Sequence, residues 1–305
     1  MPLKTVGILS PGDMGHSVGQ VLGSHGLRVI TCLEGRSERT RSLATRARIG
    51  NVSTYQALVN EADIILSILV PAQAKQAARV IAQAISETKA KLIYADCNAI
   101  APQTACQIGD MITEAGGRFV DVSIIGSPLR KEGVTHFYAS GPHVSTFEEL
   151  SQFGLDVIVL GEQIGQAKAI KMCYAALTKG LAALCTELLV AAETLGVSQP
   201  LKQQFQLSQS VLYERMERVL PRMPMKSRRW IGEMEEIAKT FEDIGLTPKI
   251  LAGAADIYSF VGKTDLAERT PEDSDPLPTL TEMLSILAAN LLEFQKNSTK
   301  AKLSH

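Results

Sequence analysis

Apolar and polar positions divide the chain into two regimes. In the first, short apolar runs alternate with amphipathic stretches: VGILS, a helix from Met14 to His25, RVITCL, a helix over 37–48, ADIILSILV, a helix over 72–87, KLIYADCN, a helix over 102–115, and RFVDVSII. Runs such as IILSILV lack the alternation of a half-exposed strand, so they suit strands buried on both faces of a parallel sheet. The order predicts an α/β domain of βαβ units around a mostly parallel, doubly wound sheet. Further short strands are predicted near HFYASG and LDVIVLG. Long helical patterns then continue to the end, which places the boundary near Gly161 and the domains at 1–161 and 162–305. The stretch from Gln166 to Leu195 reads as one long helix, almost too apolar for a surface, and is expected to lie buried between domains or subunits. RTPEDSDPLP interrupts the pattern before the last helix, and the terminal KNSTKAKLSH is expected to fray.

Composition narrows the class. With 305 residues, 45% hydrophobic content and a net charge of −1, the chain can form two cores and carries no basic excess for nucleic acid. Cys32, Cys97, Cys106, Cys173 and Cys185 form no CxxC pair, so no metal site is predicted. Cys173 and Cys185 fall in a helical pattern and read as reduced core residues of a cytosolic protein. The N-terminus enters the first strand without a signal-like leader, and no apolar run is read as long enough to cross a bilayer. The expectation is a cytoplasmic protein without a membrane segment.

Chemistry concentrates first in TVGILSPGDMG, where an apolar run feeds a glycine-containing turn and then a helix. Gly12 and Gly15 allow close backbone approach to a pyrophosphate, and the helix start offers N–H groups and a positive dipole end. The run SPGDMG fits GxGxxG with Ser10 in the place of the first glycine, so Ser10, Pro11, Gly12, Asp13, Met14 and Gly15 form the candidate cradle. Near the end of the second strand stands Glu34, followed by Gly35, Arg36, Ser37, Thr40 and Arg41. These cations and hydroxyls suit a ribose 2′-phosphate, which favours NADP, with NAD as the alternative. The competing reading makes Arg36, Arg39 and Arg41 solvated first turns of the next helix.

Taken together, SPGDMG, the GRS after the second strand, LVPA after the third, DCNAIAP after the fourth and the lysine of GQAKAIKMCYAALTKG resemble the β-hydroxyacid dehydrogenase superfamily over nearly the whole chain. That group includes 3-hydroxyisobutyrate and 6-phosphogluconate dehydrogenases and imine reductases. RRWIGEMEEIAKTFEDIGL resembles a branch with a divergent helical C-terminal domain. The resemblance implies an N-terminal Rossmann domain, an all-α second domain built around a long interdomain helix, a homodimer and a small-molecule substrate.

Carried over residue by residue, Lys171 falls on the family's catalytic lysine. A partly desolvated lysine facing a cationic nicotinamide can release its proton, then accept that of a substrate hydroxyl as hydride leaves. Lys168 and Lys179 are rivals; Lys179, eight positions on, falls within about 80° of Lys171 on a helical wheel. The family's two asparagines after the lysine are replaced by Tyr174 and Ala175, and Tyr174 reads either as a substrate contact or as packing. Thr178 stands where decarboxylating relatives keep a glutamate, which argues against decarboxylation. In DVSIIGSP, Ile125 replaces a carboxylate-binding serine, so that Gly126 and Ser127 are what is left of the family's run and the preceding Ser123 is the substitute substrate contact. Val70 and Pro71 match the position against the nicotinamide ribose. Asn98 matches a residue that meets the substrate or nicotinamide amide, with a strand-to-helix cap as its other reading. A lysine that reaches the cofactor in relatives is missing, and Gly232 or Glu233 takes its place. KSRRW, residues 226–230, reads equally as compensating cations or as a solvated loop. The resulting expectation is an NADP-dependent oxidoreductase acting on a hydroxy or oxo compound, a 3-hydroxy acid or related polyol acid, with Lys171 as acid and base. An imine reductase and a non-catalytic NADP-binding sensor are the alternatives.

Overall fold

The computed structural model describes residues 3–129, 135–269 and 276–303, with 292–303 as backbone only. The first regime folds as β1 (Thr5–Leu9), α1 (Asp13–Ser24), β2 (Arg28–Cys32), α2 (Glu38–Arg46), β3 (Gly50–Val52), α3 (Tyr55–Glu61), β4 (Ile64–Ser67), α4 (Ala74–Thr88), β5 (Ile93–Asp96), α5 (Pro102–Glu114), β6 (Arg118–Ile125), β7 (His136–Ser140), α6 (Val144–Glu148) and β8 (Asp156–Gly161). Its eight strands form one sheet in the order β3-β2-β1-β4-β5-β6-β7-β8. Neighbouring pairs run parallel except β6 with β7, which pair antiparallel. The order reverses between β1 and β4, and the carboxyl ends there frame the crevice in which open α/β sheets bind ligands.

The apolar runs are continuous because alternate residues feed separate cores. Val6, Ile8, Ile64, Leu66, Ile93, Ala95, Val120 and Val122 pack on the face that also buries Val18 and Leu22 of α1. Leu9, Ile65, Tyr94 and Phe119 pack on the other, with Ile81 and Ile85 of α4 and Ile108 and Ile112 of α5. β3 and α3 are absent from the sequence reading. β3 is three residues long and mostly exposed, so it carries no apolar signature. α3 had a legible start: the Thr54 hydroxyl accepts the Ala57 N–H at 3.1 Å as an N-cap.

The helical regime comprises α7 (Gln166–Thr194), α8 (Ser198–Ser208), α9 (Ser210–Val219), α10 (Pro224–Asp243), α11 (Lys249–Val261) and α12 (Leu280–Leu303). The chain divides into two compact units, Met1–Cys173 and Tyr174–His305, so the division falls inside α7. In the second unit α10 packs along α11, burying Met234, Ile237, Leu251, Tyr258 and Val261. Of RTPEDSDPLP, residues 270–275 lie outside the described residues. The backbone of α12 is helical through Leu303.

Two further expectations change. α7 is long and apolar enough to cross a membrane by length and composition, with a mean hydropathy of 1.5 in its apolar window, 44% of which is buried. A core helix of a soluble protein meets the same criteria. Cys173 is exposed rather than in the core and Cys106 is half-buried, while Cys32, Cys97 and Cys185 are buried; all five are free thiols.

Candidate functional site

The turn after β1 is built by its local chemistry. Ser10 has φ 68°, the left-handed conformation that glycine adopts freely and other residues at a cost of roughly 1–2 kcal/mol. The Gly12 N–H closes the turn on the Ser10 carbonyl at 2.8 Å. The glycines have separate tasks. A Cβ at Gly15 would stand 2.6 Å from the Ser10 carbonyl oxygen, so glycine is required for α1 to press against the turn. A Cβ at Gly12 would meet nothing within 4 Å, and no side chain caps α1 there. Open space before an uncapped helix N-terminus fits a pyrophosphate, with backbone N–H groups as donors.

The adjoining cations are partly committed. Asp13, in the first turn of α1, is paired with Arg39 of α2 at 2.6 Å, which offsets a charge that would repel phosphate. Beyond Gly35, at φ 67°, Arg36 is half-buried; its Nη2 lies 3.5 Å from the Tyr55 hydroxyl and its Nε is buried with no hydrogen-bond partner. Arg41 Nε donates to the Arg36 carbonyl at 3.2 Å. The Ser37 hydroxyl caps α2, accepting the Thr40 N–H at 3.3 Å.

Across the carboxyl ends of the central strands runs a buried polar rung that the sequence reading missed. Ser67 of β4 is in register with Asp96 of β5, Asp96 with Asp121 of β6, and Asp121 with Ser140 of β7. All four are 0% exposed. Lys168, also 0% exposed, enters this rung: its ammonium lies 3.1 Å from Asp96 Oδ1 and 3.1 Å from Asp121 Oδ1, and donates to the carbonyls of Asp96 at 2.7 Å and Val122 at 2.6 Å. Asp121 Oδ2 accepts the Ser140 hydroxyl at 3.1 Å and the Gly165 N–H at 2.8 Å. Burial pushes the Lys168 pKa down, but the carboxylates of Asp96 and Asp121 reverse this and leave it above the ordinary lysine value. The rung fastens the start of α7 to the sheet and removes Lys168 from the candidates for proton exchange with a substrate.

Asn98 belongs to the same network. Its carbonyl oxygen accepts the Leu69 N–H at 2.5 Å, while its amide nitrogen donates to Ser67 Oγ at 3.0 Å and Asp96 Oδ2 at 2.9 Å. At 1% exposure it clamps the loops after β4 and β5 rather than presenting its amide outward. Those loops carry Val70, 44% exposed, and Pro71, which opens a short 3-10 turn.

One helical turn beyond Lys168, Lys171 is half-buried and donates its ammonium to the Ile124 carbonyl near the end of β6 at 2.9 Å. On that strand Ser123 is 0% exposed and its hydroxyl has no hydrogen-bond partner. Gly126 follows with φ 146°, and the exposed Ser127 accepts the Thr135 hydroxyl on its carbonyl at 2.5 Å. Thus the first unit alone gathers the cradle, Lys171, an orphan hydroxyl and the glycine turn at the carboxyl side of its sheet.

Comparisons with known proteins agree with the fold. Residues 5–153 match the family model described as the NAD binding domain of 6-phosphogluconate dehydrogenase, and residues 192–261 match a domain of unknown function, DUF1932. An uncharacterized 28.5 kDa protein of Methanothermus fervidus is 31% identical over 63% of this chain and 72% of its own. The conserved protein MTH1747, described as structurally similar to 3-hydroxyacid dehydrogenases, is 28% identical, covering 84% of this chain and 97% of that one with a TM-score of 0.65. This chain belongs to the β-hydroxyacid dehydrogenase superfamily. The 3-hydroxyisobutyrate dehydrogenase of Mycobacterium tuberculosis, with L-serine, shares the fold at a TM-score of 0.67 and 17% identity, over 95% of this chain and 99% of its own. The imine reductase of Myxococcus stipitatus in complex with NADP+ also shares it, at 0.52 and 16%, over 84% and 92%. A variant from the same organism holds NAD+, at 0.54 and 16%, over 86% and 93%.

Within this superfamily member, the remaining candidates fall in the helical unit. Tyr174 is 54% exposed. Lys179 pairs with Glu233 of α10 at 2.5 Å, and its ammonium lies 5.7 Å from the centre of the Trp230 ring. Arg229 Nε reaches the same Glu233 carboxylate at 3.2 Å. KSRRW lies inside α10, which corrects its reading as a loop, and Trp230 packs edge-on against Tyr258 at 5.2 Å between ring centres.

Proposed function

We propose that the protein is an NADP-dependent oxidoreductase interconverting a hydroxy and an oxo group on a small acid, a 3-hydroxy acid or related polyol acid, with Lys171 as general acid and base. The observation that carries this reading is the placement of the Lys171 ammonium, half-buried at the carboxyl end of β6 and oriented by the Ile124 carbonyl. Residues 10–15 would hold the dinucleotide's pyrophosphate. The orphan Arg36 Nε supports a 2′-phosphate contact, and so favours NADP. When bound, the dinucleotide supplies the hydride acceptor for oxidation and the donor for reduction.

In the oxidative direction the neutral Lys171 amine takes the proton of the substrate hydroxyl while hydride departs from the same carbon, leaving a carbonyl and an ammonium. In reduction the ammonium returns that proton to the carbonyl oxygen. The Ile124 carbonyl accepts one Lys171 N–H and so directs the remaining Nζ positions. Gly126 leaves the adjoining backbone without a side chain, and the buried Ser123 hydroxyl of β6 has no hydrogen-bond partner.

The test is absorbance of NADPH and NADH against 3-hydroxy acids, their oxo forms, aldehydes and cyclic imines. Turnover of an oxygen substrate with NADPH is expected. Turnover confined to imines would replace this reading by the imine reductase, and tight NADPH binding without turnover of any compound would favour the sensor.

A further inference from the structure

The second unit contains a cluster to which the reaction at Lys171 assigns no step. Lys226, Trp230 and Glu233 recur along α10 at spacings of four and three, which stacks them on one face. The Lys226 ammonium lies 6.0 Å from the centre of the Trp230 ring, and the Lys179 ammonium lies 5.7 Å from it. Glu233 is shared between Lys179 and Arg229. No described carboxylate makes an ion pair with Lys226. Lys226 is exposed at the surface, and partial desolvation, Arg229, Arg222 and Lys179 push its pKa down. Trp230 Nε1 adds a second unmet need, since this N–H is buried with no hydrogen-bond partner. A buried donor without an acceptor carries a desolvation cost of roughly 1–3 kcal/mol. An accessible cation beside such a donor gives an anion two adjacent groups to bind, one of them otherwise unpartnered.

We infer that Lys226 and Trp230 form a binding site for a small oxyanion, a carboxylate or a phosphate group, within the helical unit. The ligand takes the Lys226 ammonium as its principal charge-assisted donor. As the lysine stem shifts from the ring, the indole N–H becomes its second donor. Arg222 and Arg229 supply the surrounding positive field, while Glu233 keeps Lys179 and Arg229 in place. The aromatic wall favours an anion attached to a carbon skeleton over a fully hydrated ion. This site is argued from the second unit alone and stands whether or not Lys171 proves catalytic.

The chain's single tryptophan makes the test direct, because emission excited at the red edge of the aromatic band, beyond tyrosine absorption, reports Trp230 alone. The full-length protein is titrated with malonate and, separately, inorganic phosphate, with sodium chloride at matched ionic strength as reference. The expected result is a saturable emission change with at least one oxyanion, weakened about tenfold or more in Lys226→Met, and held within about threefold in Lys226→Arg. Saturation by malonate alone identifies a carboxylate site, and by phosphate alone a phosphate site. Should Lys226→Met lose its helical circular dichroism, Lys226→Arg and Arg222→Gln carry the comparison, the latter weakening the response. A change no larger than that from chloride, or unaltered titration in folded Lys226→Met, overturns the proposal.

Discussion

The polar rung of the first unit, four strand residues joined by one helix lysine, and the cationic cluster of the second, borne on helices, solve opposite problems. Around Lys168, two carboxylates and two backbone carbonyls receive one ammonium, and serine, asparagine and backbone donors meet much of the remaining capacity. Around Trp230, positive charge is in excess at Lys226 and a buried donor is unmet. The first arrangement gains from being closed and immobile; the second is completed from outside. The same contrast separates Lys168 from Lys171, which share a helix and stand one turn apart. Burial in ion pairs makes Lys168 a fastening, while partial exposure leaves Lys171 able to meet a substrate.

The largest expected effect tests the closed side. Lys168→Met leaves Asp96 and Asp121 buried without their common cation, and should destabilise the protein by about 3–5 kcal/mol in urea unfolding. A loss below about 1 kcal/mol would show that the rung is not the fastening described. For Lys171→Ala the pattern reverses: turnover falls about a hundredfold to ten-thousandfold while unfolding changes by about 1 kcal/mol or less.

The cradle provides a second contrast. Gly15→Ala drives a Cβ against the Ser10 carbonyl and should cost about 1–3 kcal/mol in stability. Gly12→Ala enters open space, so its stability cost is about 1 kcal/mol or less while NADPH affinity, read by cofactor fluorescence, drops. Equal stability losses at the two glycines would contradict their separate roles.

The effect of pH is smaller over the ordinary range. Because the folded Lys168 pKa lies above its unfolded value, its contribution is fully present below the ordinary lysine value of 10.5 and is lost as pH rises through the still higher folded value. Urea midpoints for wild type should therefore show no loss from this group between neutrality and pH 10, followed by a decline that Lys168→Met lacks. Smallest in consequence is thiol labelling: the exposed Cys173 should react first with a disulfide reagent. Cys97, whose thiol burial pushes well above its usual range, should react only on unfolding.

Much of the fold was legible because buried parallel strands are apolar on both faces: RFVDVSII matches β6 residue for residue. β3 escaped because an exposed edge segment of three residues has no pattern to read. Within the site, the glycine turn and Lys171 were visible through their spacing and resemblance. The rung was not, because register, rather than sequence distance, brings Ser67, Asp96, Asp121 and Ser140 side by side. A trace of it was present, since an aspartate inside RFVDVSII and another ending LIYAD are charges in strands otherwise built for burial. Asn98 was read as a substrate or nicotinamide contact or as a cap, and the structure places its amide against Leu69, Ser67 and Asp96.

The most direct test of the division between a fastening and a reacting lysine is NADPH-linked turnover of an oxygen substrate by wild type and Lys171→Ala, measured alongside NADPH affinity. The account predicts that the variant binds NADPH within about threefold of wild type and loses at least about a hundredfold in kcat. A folded, cofactor-binding Lys171→Ala protein that turns over at the wild-type rate would contradict it.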